Sequence, residues 1–237
     1  MTDFNGSVHI VPTSDGSPTA RLSADGELMH SSHGAWSETL FIYRPCVETV
    51  FQHSWPLSFL SVGLGMGYVE MMVVAEMLKH QQPMDSIRLL SFENSPLLME
   101  QFEKWISTSD TTIFDHSLAW VSRHYDFAAI ELKDTLVKLY REKKWILQGE
   151  LVELPQEGKY SAIFYDAFSK KSGEQLWTED FLSRFLNQYA DNGCVLSTYA
   201  ATSALKRALK SQQFVLQEKS GFIGKRESTF AIKIISL

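Results

Sequence analysis

Three glycines at alternate positions, Gly63, Gly65 and Gly67 in SVGLGMGYVE, follow an apolar run and open a helical one. Glycine tolerates positive φ and lets a ligand come close to the backbone, so a strand-to-helix turn of this composition suits a ligand lying over the loop. The spacing lacks the third glycine of the G-x-G-x-x-G dinucleotide fingerprint, and no Gly-Lys-Ser/Thr step follows it. A nucleoside fits such a loop better than a nucleotide phosphate does, and a tight turn without any ligand gives the same pattern. Glu93 closes the next apolar run, in LLSFENSP, where a carboxylate can accept hydrogen bonds from both hydroxyls of a ribose. It also stands just ahead of a helix starting at Ser95-Pro96, an ordinary place for negative charge. Glu150, in ILQGE, is a candidate acceptor for an adenine amino group, with a solvent-facing loop acid as the alternative.

Asp166 ends a further apolar run, AIFYDAF. Ligands of open α/β sheets bind outside the carboxyl ends of the strands, and a carboxylate entering that crevice needs a cation or a donor to offset its desolvation. Asp166 is therefore the candidate catalytic acid or base. Phe168 and Trp177 flank it, and Phe222 lies near Lys225 and Arg226. Aromatic rings can stack an unpaired base while Lys and Arg bind phosphates, a combination suited to single-stranded or loop RNA; packing in a core is the other use for such rings. His30 and His33 in HSSH lack Cys or carboxylate partners at ligand spacing, so no metal is expected. There is no G-x-S-x-G elbow of a serine hydrolase.

These residues must be held by elements that the hydrophobic pattern outlines. From Ser58 onward, short β-rich runs alternate with helical ones, the mark of a parallel sheet covered by helices. The spacing predicts strands at 58–64, 87–93, 144–149, 160–166, 194–199, 214–219 and 228–235, and helices at about 68–80, 96–106, 178–190 and 201–210. Residues 107–143 exceed an ordinary connection and carry a helical pattern, so a helical insertion forming a small flap is expected there. Only SGFIGKRE separates the last two strands, which predicts an antiparallel pair at one edge. The expected fold is α/β, Rossmann-like, with seven strands and the last antiparallel. Seven strands with that ending is the arrangement of S-adenosylmethionine-dependent methyltransferases. Residues 1–56 read as a small β appendage with a hairpin turn at Asp25-Gly26, packed on a catalytic domain of residues 57–237.

The composition sets outer bounds. A chain of 237 residues with 44% hydrophobic and 12% aromatic residues has enough apolar surface for a compact core, which excludes a disordered chain. Its apolar runs are far shorter than the roughly 20 residues that cross a bilayer, and the first residues show no secretory pattern, so a cytoplasmic protein is expected. Cys46 and Cys194 are too few for a disulfide framework and read as buried small hydrophobes. Residues 1–158 carry a balance of -10 and residues 159–237 one of +4, within a net charge of -6. A polyanion would meet the C-terminal third.

Taken together, HSSHGAWSE, SVGLGMG, SFEN, YDAFSKKSGEQLW, DNGCVLSTYAATSALKRALK and SGFIGKRES resemble, in order and over nearly the whole chain, the methyltransferase domain of the tRNA-modifying MnmC enzymes and their stand-alone relatives. The resemblance implies transfer of a methyl group from S-adenosylmethionine to the exocyclic amine of 5-aminomethyl-(2-thio)uridine at the tRNA wobble position. By the same resemblance Gly63, Gly65, Gly67 and Glu93 would hold the cofactor, Asp166 would face the amine, and Phe168, Trp177, Phe222, Lys225 and Arg226 would shape the substrate side. The FAD-dependent oxidase domain of that family has no counterpart in the sequence, so no flavin is expected. Two alternatives stay open: a methyltransferase acting on a small amine or another nucleobase, and a non-catalytic RNA- or partner-binding module on the same fold.

Overall fold

The computed structural model describes residues 3–4, 8–22, 26, 28–151, 154, 158–167, 173–223 and 227–234. Strands β1 (Asp3–Phe4), β2 (Val8–Pro12) and β3 (Pro18–Leu22) form a small antiparallel sheet. The chain reverses between β2 and β3 at Thr13–Ser17, and again near Gly26, where Leu28 bridges back to Arg21. Asp25 lies outside the described residues.

The N-terminal segment expected to be a β appendage also contains an 18-residue helix, α1 (Ala35–Gln52). Its first turn has Gly34 at the cap and no local side-chain cap, so its free N–H groups find partners elsewhere. Thr13 Oγ1 accepts from Ala35, Ser17 Oγ from Trp36 and Asp15 Oδ2 from Ser37, at 3.3, 3.0 and 3.1 Å. Burial works against the Asp15 charge, but donors from Ser17, Ser37 and Thr13 hold its carboxyl well below the usual range. Pro45 sits inside α1. One turn earlier, the Ile42 carbonyl accepts from Ser197 Oγ at 2.6 Å and Lys219 Nζ at 2.9 Å, which pins the middle of the helix to the sheet.

Among the described residues the main sheet has seven strands: β4 (Ser58–Val62), β5 (Arg88–Phe92), β6 (Trp145–Gln148), β7 (Tyr160–Tyr165), β8 (Ala190–Thr198), β9 (Val215–Gln217) and β10 (Thr229–Lys233). Their order is β6-β5-β4-β7-β8-β10-β9. β4 through β8 pair in parallel, and β10 lies antiparallel between β8 and β9. Period-two alternation splits the core in two. Phe59, Leu89, Ala162, Phe164 and Val195 join one apolar cluster, while Leu60, Leu90, Ile163, Tyr165 and Leu196 join the other.

On the first face lie α1, α2 (Tyr68–Lys79), α3 (Pro96–Ser107), α4 (Ile113–Tyr125) and α5 (Ala129–Arg141); α6 (Glu179–Tyr189) and α7 (Ser203–Ser211) cover the second. The segment expected to be a helical flap is instead a packed layer. Phe114, Leu118, Val121, Leu132, Leu136 and Leu139 of α4 and α5 are buried in the first cluster. Cys46 and Cys194 are free and buried, and burial pushes the Cys46 thiol up to about 12. No helix among the described residues is long and apolar enough to cross a membrane.

Candidate functional site

The chain runs from β4 outward to β5 and β6 on one side, then returns to β7 and β8 on the other, so the sheet order reverses between β4 and β7. That reversal opens a crevice at the carboxyl ends of the strands, where ligands of such sheets bind. The loop after β4 enters it. Gly63, Gly65 and Gly67 all adopt positive φ, +94°, +54° and +73°. The N–H groups of Gly63 and Leu64 both donate to the Phe92 carbonyl, at 2.9 and 3.1 Å, stitching the loop to the end of β5.

Glu93 follows that carbonyl and turns its side chain back to the loop. Its Oε2 accepts from Gly65 N–H at 3.1 Å and its Oε1 from Ser95 N–H at 2.9 Å. The group is 2% exposed. Burial raises its pKa, and the surrounding backbone N–H groups pull it back down. Beside it, among the described residues and apart from its own chain neighbours, nothing lies within 4 Å of where a Gly65 Cβ would stand. A bare backbone edge next to a fixed carboxylate, in a crevice, matches the hydroxyl donors and flat surface of a nucleoside. The donor set therefore fits S-adenosylmethionine, with Gly63, Gly65, Gly67 and Glu93 as the residues to hold it.

The loop rests on parts that sequence reading missed. A Gly67 Cβ would fall 3.1 Å from the Phe114 ring of α4, and Ser117 Oγ of the same helix donates to the Met66 carbonyl at 2.6 Å. Glu70, in the first turn of α2, is 1% exposed and accepts from Ser61 Oγ of β4 and, at 2.7 Å, from Ser91 Oγ of β5. Trp145 Nε1 of β6 donates to the same Ser91 at 3.0 Å. Burial raises the Glu70 pKa, the serine hydroxyls lower it, and the Glu93 charge raises it further. One carboxyl thus ties together the three strands that carry the loop, Glu93 and Glu150.

Across the crevice, Asp166 begins the loop after β7, with its N–H on the Val62 carbonyl at 2.9 Å. Its own carbonyl oxygen stands 2.6 Å from where a Gly63 Cβ would be, so only glycine at 63 lets the two loops touch. Tyr43 of α1 faces the Asp166 carboxylate; burial raises the Tyr43 pKa, followed by the charges of Asp166, Tyr199 and Glu38. Tyr199, just beyond β8, donates to the Ala167 carbonyl at 3.1 Å. Tyr43, Glu38 and Tyr199 carried no recognisable motif and were not expected at the site.

The remaining candidates spread out. Glu150 is exposed beyond β6. Trp177 is 5% exposed and packs its ring edge-on to Tyr165 at 5.1 Å, while Phe222, 6% exposed, packs on Phe41 at 5.8 Å. Both are core side chains, so neither presents an open face for stacking a base. Phe168, Lys225 and Arg226 lie outside the described residues. In the basic C-terminal third, Arg184, Lys206 and Arg207 are each ion-paired with Asp180, Glu227 and Glu179. His30 meets Thr19 Oγ1 at 3.0 Å, and the described residues hold no group of three or more metal-ligating side chains.

Residues 116–234 match the pattern of a family described as S-adenosyl-L-methionine-dependent methyltransferase. The chain is 28% identical over 232 residues to an uncharacterized protein of Methanocaldococcus jannaschii, covering 94% of this chain and 59% of that one. It is 24% identical over 242 residues to the tRNA 5-methylaminomethyl-2-thiouridine biosynthesis bifunctional protein MnmC of Burkholderia mallei, covering 95% of this chain and 36% of that protein. It thus spans less than two thirds of the length of either relative. The crystal structure of MNMC2 from Aquifex aeolicus shares the fold, with a TM-score of 0.67 at 21% identity over 98% of this chain and 72% of that one.

Proposed function

Since the chain belongs to the S-adenosyl-L-methionine-dependent methyltransferase family, we propose that the amine it methylates is the exocyclic amine of 5-aminomethyl-(2-thio)uridine at the wobble position of tRNA, a reaction of the cytoplasm. Support for the substrate comes from the likeness to the MnmC proteins, whose name states their role in 5-methylaminomethyl-2-thiouridine biosynthesis. The observation that carries the chemistry is the close approach of the Asp166 backbone carbonyl to Gly63, which brings the start of the loop bearing that acid against the donor loop. In this reading residues 57–237 are the catalytic unit and residues 1–56 complete it.

S-adenosylmethionine supplies an activated methyl on a sulfonium. The chain must align the amine in line with the departing sulfur and present it with a free lone pair, since an ammonium cannot attack. Asp166 holds the amine through its N–H groups and stabilises the positive charge that grows on nitrogen as the N–C bond forms. The proton then shed by the methylated ammonium passes to the carboxylate. Gly63, Gly65, Gly67 and Glu93 hold the donor and Glu150 its adenine, while Phe168, Lys225 and Arg226 border the substrate.

The test is transfer of radiolabelled methyl to tRNA from cells lacking this modification, at several salt concentrations. Label in the wobble nucleoside, with binding that weakens steeply as salt rises, is the expected result, because phosphate contacts release counterions. Label in a free amine and none in tRNA would overturn the substrate.

A further inference from the structure

Of the packed rings Phe41 and Phe222, it is Phe41 of α1 that reaches the surface, 36% exposed against 6%. It lines an open groove of about 440 Å³ between the flank of α1 and the residues that follow β9. Leu40, Phe41 and Pro45 form the apolar side of this groove, and Lys219 and Ser220 stand across from them. The volume lies within the roughly 300–1,000 Å³ of small-ligand sites, room for one flat base and its phosphate. The two cations of the wall differ. Arg44 is committed, to Glu48 at 3.1 Å and to buried Glu76 at 2.9 Å. Lys219 pairs with no carboxylate among the described residues: its Nζ donates to the Ile42 carbonyl at 2.9 Å and lies 5.4 and 5.1 Å from the centres of the Phe41 and Phe230 rings. An ammonium has three N–H donors, so two are left for a ligand. Burial is the main influence on the Lys219 pKa and lowers it, as expected of a cation short of compensating charge. A phosphate supplies that charge.

We propose that this groove holds an unpaired nucleotide of the RNA substrate, a few positions from the one that is methylated, with its base on Phe41 and its phosphate on Lys219. The proposal rests on reading the substrate as tRNA. Helix α1 links the two places. Two residues beyond Phe41, the Tyr43 ring packs on Phe164 of β7, which is two positions ahead of Asp166. A strand that feeds the crevice thus crosses α1 to reach the groove. Unpaired bases are held in this way, on aromatic rings with cations along the backbone. Glu218, exposed on the rim, opposes a phosphate and limits the affinity.

The probe is anticodon stem–loop RNA, its binding to the full-length protein followed by fluorescence anisotropy. Phe41→Ala should weaken binding about tenfold, the scale of one lost base contact. Lys219→Gln should weaken it about fivefold and lower the slope of log affinity against log salt by about one, since one phosphate contact is lost. Ser197 still satisfies the Ile42 carbonyl in that variant. Glu218→Gln should tighten binding about twofold. Donor affinity by calorimetry should match the wild type in all three, which shows that they are folded. In the wild type, 5-iodouridine placed in the RNA loop should crosslink to Phe41 on irradiation, a result that needs no substitution. Unaltered affinity and salt slope in Phe41→Ala and Lys219→Gln would overturn the proposal while methyl transfer to tRNA still stood, as would crosslinks confined to other segments. Groove-dependent RNA binding without label in the wobble nucleoside would keep the groove and remove that substrate. No RNA binding by the wild type would remove both. A dimer of the RNA-free protein that Phe41→Ala disrupts would also overturn it, giving the groove to a second copy of the chain.

Discussion

The loop from Gly63 to Gly67 meets Glu93 within a single β-α-β unit, whereas the Asp166 charge bears on Tyr43, buried on a helix from the other end of the chain and capped by residues further back still. One half of the crevice is local in sequence and the other is assembled from distant pieces. A binding loop needs a backbone shape, which neighbouring residues can dictate. A reacting carboxylate needs an orientation and a controlled charge, and those come from whatever elements the fold brings against it. Substitutions that strike one half and spare the other separate the two.

The largest expected effect is at Asp166. Asp166→Ala should lower turnover by about a thousandfold, within the range typical of a lost acid–base group. Donor affinity, measured by calorimetry, should stay near that of the wild type because the loop and Glu93 are untouched. Parallel losses in binding and turnover would show that the halves are not separable.

Gly63 is where they touch, and a side chain there should damage both. Its φ of +94° already disfavours any other residue, and a Cβ would lie 2.6 Å from the Asp166 carbonyl oxygen, a backbone atom that cannot swing aside. Gly63→Ala should cost about 2–4 kcal/mol of stability in urea unfolding, with donor binding and turnover falling together. Gly65 supplies the contrast. Its φ is +54°, yet among the described residues nothing but its own chain neighbours lies within 4 Å of where its Cβ would stand. Gly65→Ala should cost only about 1 kcal/mol in the same unfolding experiment while weakening donor binding, since the methyl enters space left for the ligand. Unaltered donor affinity in Gly65→Ala would move the donor off that edge of the loop.

The same division explains what could be read in advance. The glycine loop, Glu93 and the succession of strands along the chain from β4 to β10 follow from local alternation and turn residues, and α3, α6 and α7 carry their own caps in Ser95, Thr178 and Thr202. Helix α1 has no such signal: its cap is borrowed from Thr13, Asp15 and Ser17, and Pro45 interrupts its pattern. With the helix hidden, Tyr43 and Glu38 were hidden too. The layer of α4 and α5 was legible as helix, but nothing local marked Phe114 and Ser117 as supports of the glycine loop. Trp177 and Phe222 erred the other way, because sequence cannot tell an aromatic ring that packs from one that waits for a base.

The smallest effect tests the support beneath the local half. Burial is the main influence on Glu70 and raises its pKa above the ordinary 4.5, so folding favours its protonated form. A raised carboxyl contributes stability that is fully present below the unfolded value and lost as pH rises through the folded one. Glu70→Gln keeps an acceptor for Ser61 and Ser91 but cannot ionise, and so escapes that loss. Thermal melts from pH 4.5 to pH 8 should therefore show the difference between Gln and Glu moving in favour of Gln as pH increases, with donor affinity preserved throughout. A difference that stays constant with pH would mean that Glu70 titrates normally. The tie between α2, β4 and β5 would then be an ionised one, and the local half of the crevice would depend on charge as the distant half does.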